Sequence, residues 1–225
     1  MDKGNYWYRI NSTCWSLCFA AVLFASATAQ PAVCQTDKQG YTPLFNGENL
    51  DGWVVIGPVK DAFTVEDGVL ACTKAGGQWL RTTERYEDFI LRLEYKISEG
   101  GNSGIFIRAT RYGNPAYTGM EVQILDDAGK EPDVHSSGAL YGSVAPKKNA
   151  AKPAGEWNEV EITCDGRRIA VVLNGELLYD IDINDYAVPL EGRTPLKERV
   201  RLGYIGLQDY GDPVWFRNIR IKVLD

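Results

Sequence analysis

Histidine is nearly absent from this chain. The single copy is His135, and the five cysteines show neither a C-x-x-C nor a mixed Cys/His spacing. That removes the common structural zinc sites. Cys14 and Cys18 fall in the N-terminal leader described below, leaving Cys34, Cys72 and Cys164, an odd number. Cys72 and Cys164 lie in strand-like sequence, the setting of buried free thiols. A bridge from Cys34 to either is open in an oxidising compartment. A basic excess is missing too. The formal charge is −6, and the densest basic cluster is the pair Lys147-Lys148. Nucleic acid and anionic membrane surfaces want a basic face, so both are excluded as partners.

Long apolar runs are scarce. The one that stands out, residues 17–25, follows Lys3 and Arg9 and precedes Ala27-Thr28-Ala29. This is the pattern of a secretory signal over residues 1–29, with a mature start at Gln30. The run is too short for a membrane anchor. Pro31-Ala32-Val33 lacks the small residue a lipoprotein signal places before its cysteine, here Cys34. The expectation is a secreted protein, periplasmic or extracellular, with no membrane insertion after cleavage. Loss of Lys3, Arg9 and Asp2 takes the 24 basic and 30 acidic side chains to 22 and 29, a charge of −7.

No stretch carries a helical pattern of three turns. What is there is a succession of short strands. Residues 63–72 read as a hairpin turned by Asp67-Gly68. Residues 89–97 alternate cleanly, with Phe89, Leu91, Leu93, Tyr95 and Ile97 on one face. Residues 157–180 read as a three-stranded meander turned at Asp165-Gly166 and Asn174-Gly175. Gly100-Gly101-Asn102-Ser103-Gly104 is glycine-rich, but no helix or phosphate-binding lysine follows it. With no repeat and no internal linker, the reading is a flexible tail over residues 30–40 and one all-β domain over 41–225, a sandwich or barrel.

The stretch Gly119-Met120-Glu121-Val122-Gln123-Ile124-Leu125-Asp126-Asp127 sets acidic and amide side chains into alternating β sequence. Glu121 and Gln123 share one face, and Val122 and Ile124 the other. Asp126 joins Glu121 only if a β-bulge intervenes. The result would be two carboxylates and an amide on one surface, a layout for acid–base work on a sugar. Phe106 and Arg108 are expected to share a face. The long irregular segment from 126 to 152 carries His135 and Tyr141, and long ordered loops are often functional.

Several motifs occur in order: Leu44-Phe45-Asn46-Gly47 with Leu50-Asp51-Gly52-Trp53; Asn102-Ser103-Gly104-Ile105-Phe106-Ile107-Arg108; Glu121-Val122-Gln123-Ile124-Leu125-Asp126; Lys152-Pro153-Ala154-Gly155-Glu156-Trp157-Asn158; and Gly206-Leu207-Gln208-Asp209 with Phe216-Arg217-Asn218-Ile219. Together, from Tyr41 onward, they resemble the 3-keto-disaccharide hydrolase family. The resemblance implies a concanavalin A-like, laminin G-like jelly roll of two antiparallel sheets. It also implies cleavage of sugars already oxidised to a ketone at carbon 3, so the partner would be an oxidised glycoside. On that reading Glu121 or His135 is the base. Arg108, with or without a divalent cation, steadies the enolate. His135 or Tyr141 protonates the leaving oxygen. Gln123, Asp126, Lys152 and Gln208 bind substrate, and Trp79 offers a stacking face. One departure is visible: Tyr210 stands where the family commonly has histidine after Gln-Asp. The competing readings are a non-catalytic carbohydrate-binding module and a protein-binding domain on the same scaffold.

Overall fold

The alternating strand at residues 89–97 has no solvent-facing edge. In the computed structural model, which describes Met1 and residues 36–72, 76–188 and 193–225, it pairs on both sides. The signal sequence, its cleavage site and Cys34 lie outside the described residues, as does much of the tail; residues 36–40 form a turn closed on the Asp37 carboxylate, which accepts the Gln39 and Tyr41 amides.

Among the described residues thirteen strands follow in chain order. They are β1 (Thr42–Pro43), β2 (Trp53–Ile56), β3 (Phe63–Glu66), β4 (Val69–Cys72), β5 (Gln78–Thr82), β6 (Phe89–Ile97), β7 (Asn102–Ala109), β8 (Met120–Leu125), β9 (Asn158–Asp165), β10 (Arg168–Leu173), β11 (Glu176–Asp182), β12 (Tyr204–Asp209) and β13 (Val214–Val223). All pairings are antiparallel and build two sheets. One has the order β11-β10-β9-β6-β13-β4-β3, with β1 added to β13; the other has β2-β5-β12-β7-β8. Contacts group the described residues from 36 onward into one unit. This is the expected all-β sandwich of the jelly-roll kind.

The core lies between the sheets. Phe89, Leu91, Leu93, Tyr95 and Ile97 of β6 all point into it, as do Ile105 and Ile107 of β7, Val122 and Ile124 of β8 and Ile205 and Leu207 of β12. Each such side chain contributes about 1.5–3 kcal/mol relative to exposure. Cys72 and Cys164 are buried in this core, and burial pushes the Cys164 thiol up to about 12. The turns follow the sequence. Asp67 and Gly68 have φ of 50° and 77°, and Asn174 and Gly175 have 52° and 83°, the left-handed pair a two-residue hairpin needs. Among the described residues the helical pieces are brief: α1 (Pro115–Thr118), capped by Asn114, and 3₁₀ turns at Ile183–Asp185 and Leu196–Glu198. No described helix is long and apolar enough to cross a membrane.

Candidate active site

Period-two alternation leaves the five-stranded sheet with a second, outward face. It carries Trp79 from β5, Gly206 and Gln208 from β12, Gly104 and Phe106 from β7, and Glu121 and Gln123 from β8. The β7–β8 ladder runs from Asn102 opposite Leu125 to Ile107 opposite Met120 without a register shift. Glu121 therefore stands beside Phe106, and Gln123 beside Gly104. Both polar side chains are buried, at 3% and 4% exposure. They are buried because the loop after β8 folds back along its free edge. Gln123 donates its amide to the Ala139 carbonyl, and Tyr141 donates its amide to the Glu121 carbonyl. This antiparallel register sets Tyr141 directly across from Glu121, on the same face. His135 meets the Tyr141 ring edge-on, with centroids 5.1 Å apart.

A residue outside the expected set closes the site. The guanidinium of Arg193 lies over two rings, 4.3 Å from the Tyr117 centroid and 4.7 Å from that of Tyr141. It also donates from Nη1 to the Tyr141 carbonyl at 3.2 Å. Gly142, at φ 65°, leaves the space for it, since a Cβ there would run into the Arg193 guanidinium. Arg193 is held in turn by its neighbour in the loop. Buried Arg199 donates to the carbonyls of Thr194, Ala116 and Gly119, tying the Arg193 segment to the short helix that carries Tyr117. Burial, with Arg193 adding to it, lowers the Arg199 guanidinium to about 10. No periodicity marks Arg193 or Tyr117 in the sequence, because one sits in a loop and the other on a four-residue helix, and both positions depend on the packed sheets.

The electrostatics centre on Glu121. Burial raises its carboxyl to about 8, against the pull of the Arg193 charge and a hydrogen bond from Gln208. The Gln208 side-chain oxygen is itself buried with no partner, an acceptor facing the same space. Burial also raises the Tyr141 phenol, with Arg193 opposing and Glu121 reinforcing. Gln123 reaches Asn102 at 3.4 Å. Trp79 is 7% exposed and meets Phe106 edge to face at 5.5 Å. It lies over Gly206, where any Cβ would strike the indole. The site thus joins a carboxyl of raised proton affinity, an arginine, a phenol, an imidazole at the rim and amide groups over an aromatic floor.

Three expected residues are elsewhere. Arg108 is turned off this face: Tyr204 opposes Ala109 and Gly206 opposes Phe106, so two residues of β7 face one of β12. At this bulge Arg108 adopts φ 50° and becomes fully buried. Its Nε donates to the Glu87 carbonyl, and its Nη2 pairs with Asp88 at 2.9 Å. A bulge does adjoin the site, but on β7, and it removes a residue from it. Asp126 stays out of phase with Glu121 for lack of one on β8; it accepts the Gly100 amide and pins the neighbouring turn. Lys152 is exposed and donates to the Trp157 carbonyl, away from Glu121 in the approach to β9. Asp209 is buried and fastens the loop at its end of the sheet, accepting from Gln78 and from the Gly76 and Gly211 amides. Tyr210 beside it is 60% exposed. Among the described residues no three His, Cys, Asp or Glu side chains cluster as metal ligands would.

The 3-keto-alpha-glucoside-1,2-lyase-like domain family matches residues 40–222. The chain belongs to this family. A protein of Bacteroides thetaiotaomicron named 3-keto-disaccharide hydrolase is 31% identical, over 84% of this chain and 80% of its own length. A crystal structure of a candidate glycosyl hydrolase from Parabacteroides distasonis superposes with a TM-score of 0.72 at 31% identity, covering 82% of this chain and 99% of that one. The carbohydrate-binding module CBM66 of Bacillus subtilis shares the fold at 14% identity and a TM-score of 0.54, over 76% of this chain and 95% of its own. In this member of the 3-keto-alpha-glucoside-1,2-lyase-like family, carboxylate, arginine and aromatic groups converge on the outward face of the five-stranded sheet.

Proposed function

We propose that this protein cleaves 3-keto-glycosides, with Glu121 as the base that starts the reaction. The observation that carries the reading is the buried Glu121 carboxyl, raised to about 8 and set beside Arg193. A carboxylate of that proton affinity is a strong base once ionised, and the arginine favours the ionised form. The relationship to the Bacteroides hydrolase supports the substrate class.

The chemistry needs few groups. A ketone at carbon 3 acidifies the hydrogen on carbon 2. Glu121 takes that proton, and the electron pair of the C–H bond becomes an enolate. Arg193 is the cation placed to meet the developing charge, in the role the sequence offered to Arg108. The enolate reforms the ketone, makes a double bond between carbons 1 and 2, and expels the oxygen on carbon 1. Tyr141 or His135 supplies the proton that oxygen needs. Water then adds its hydroxyl at carbon 1 and leaves its proton on the Tyr141 or His135 that gave one up, while Glu121 returns its proton to carbon 2, completing net hydrolysis. Gln208 and Gln123 hold sugar hydroxyls, and Trp79 with Phe106 forms the apolar floor. A sugar-binding module would instead present exposed, parallel rings; here the two rings are buried and perpendicular. The N-terminal signal pattern supports export, which would place the reaction outside the cytoplasm.

The test is incubation of the protein from residue 30 onward with a 3-keto-glucoside, following products by mass spectrometry. Aglycone release, lost in Glu121→Gln, is the expected result. A sugar product lighter by one water would mark a lyase that stops at the unsaturated ketone. Binding without release would overturn the enzyme reading.

A further inference from the structure

Beyond the Phe106 end of the same face, past the row that holds Glu121, lies an open groove of about 440 Å³ lined by Arg85, Ala109, Arg111, Val200, Leu202 and Tyr204. Its inner end is continuous with the site floor. Ala109 packs with Trp79 and Phe106, and Tyr204 packs against the same cluster. Tyr204 begins the strand that carries Gln208. On that strand Gly206 shares the row of Phe106 and Glu121, so two residues at ~3.3 Å each put Tyr204 about 7 Å along the sheet from that row, roughly the length of one sugar ring.

The chain is acidic, at −6. Yet neither Arg85 nor Arg111 has a carboxylate partner among the described residues. A third cation, Arg81, lies 4.0 Å over the Tyr204 ring, and its buried Nε has no acceptor. The apolar part is exposed: Val200 and Leu202 are open to solvent, as is Tyr112 beside Arg111. Unpaired guanidinium groups beside apolar walls fit a ring or hydrocarbon that carries an oxyanion, because arginine bonds carboxylate and sulfate in a bidentate fork.

We infer that this groove is a leaving-group subsite that selects glycosides whose aglycone bears a carboxylate or sulfate. The inference builds on the cleavage reading, because it takes the reacting sugar to lie over Glu121. The anionic end of the aglycone then reaches Arg85 and Arg111, while its apolar body lies against Val200, Leu202 and Tyr204. Neutral aglycones keep the apolar contact alone.

Equilibrium binding separates this from the question of catalysis. Phenyl, 4-carboxyphenyl and 4-sulfophenyl glucosides, with an unmodified sugar that the proposed chemistry does not cleave, are titrated into the protein by calorimetry. A preference of about tenfold or more for a charged probe over the phenyl glucoside is expected, the size of a hydrogen bond to a charged group. The double variant Arg85→Gln/Arg111→Gln should abolish that preference and leave phenyl glucoside binding unchanged. Preference for both charged probes would show that any oxyanion serves; preference for one would name the group. Equal affinity for all three, no measurable binding, or a preference that survives the double variant would each overturn the subsite. Loss of catalytic turnover on 3-keto substrates would overturn the function and leave this result standing.

Discussion

The side chain of Glu121 occupies the space where a Cβ on Gly104 would sit. A methyl group built on Gly104 would collide with the Glu121 carboxyl carbon at 2.8 Å, and more closely with its Oε1. The two residues lie on adjacent strands, β7 and β8, with Gly104 paired to Gln123. The absence of a side chain on one strand is what lets the carboxyl lie flat over the sheet.

Gly104→Ala should therefore misplace Glu121 with limited harm to the fold. Overpacking of this kind destabilises by about 1–3 kcal/mol. Catalysis is more sensitive to position, and a shift near 1 Å lowers turnover by about a hundredfold. Comparing kcat with the urea unfolding midpoint separates the two effects.

Glu121→Gln keeps shape and removes the base. Turnover of a 3-keto-glucoside should fall by about 10²–10⁴-fold. In the wild-type protein kcat/KM should rise with pH toward a plateau above about 8, following ionisation of this carboxyl. A flat profile between pH 6 and 9 would assign the base elsewhere.

The same carboxyl should make stability depend on pH. Its affinity for protons is raised from 4.5 in the unfolded chain to about 8 in the folded one. The folded state binds the extra proton between those values. The stabilisation is complete below pH 4.5 and is lost as pH rises through 8. The slope approaches ~1.4 kcal/mol per pH unit within that window. Glu121→Gln should remove this slope and be relatively more stable at pH 8 than the wild type. Urea unfolding at several pH values measures it.

Arg193 and Glu121 should be coupled in kinetics. Arg193→Gln removes a charge that lowers the Glu121 proton affinity, so the rising limb of the pH profile should move to higher pH. Loss of the cation facing the enolate should also lower kcat by about 10²–10³-fold. Arg193→Lys should restore the position of the limb and recover less of kcat, because an ammonium does not stack between Tyr117 and Tyr141 as a planar guanidinium does.

Asp88 should matter for stability and little for chemistry. Its carboxylate pairs with buried Arg108 and with Arg201, and it accepts the Gly166 amide. Asp88→Ala leaves the Arg108 charge buried without its counter-ion, a loss of about 3–5 kcal/mol. The folded fraction should retain normal KM and kcat.

Local alternation and turn chemistry were enough to read the sandwich from the chain. β6 alternates without a break, and the Asp67-Gly68 and Asn174-Gly175 turns follow from the backbone angles those dipeptides adopt. The same alternation placed Glu121 and Gln123 together, because residues two apart on a regular strand must share a face. The order of short motifs pointed to the family. Tertiary structure decided the rest. Arg108 obeys alternation in the sequence and leaves the face in the fold, since one extra residue in a β7 bulge reverses its phase. Arg193 lies about seventy residues from Glu121 in the chain. It reaches the site only because the loop from 126 to 152 pairs with the β8 edge and Arg199 ties its own segment to α1. Period and propensity act over a few residues. The partners of a buried charge are chosen by whichever distant segments the packed sheets bring together.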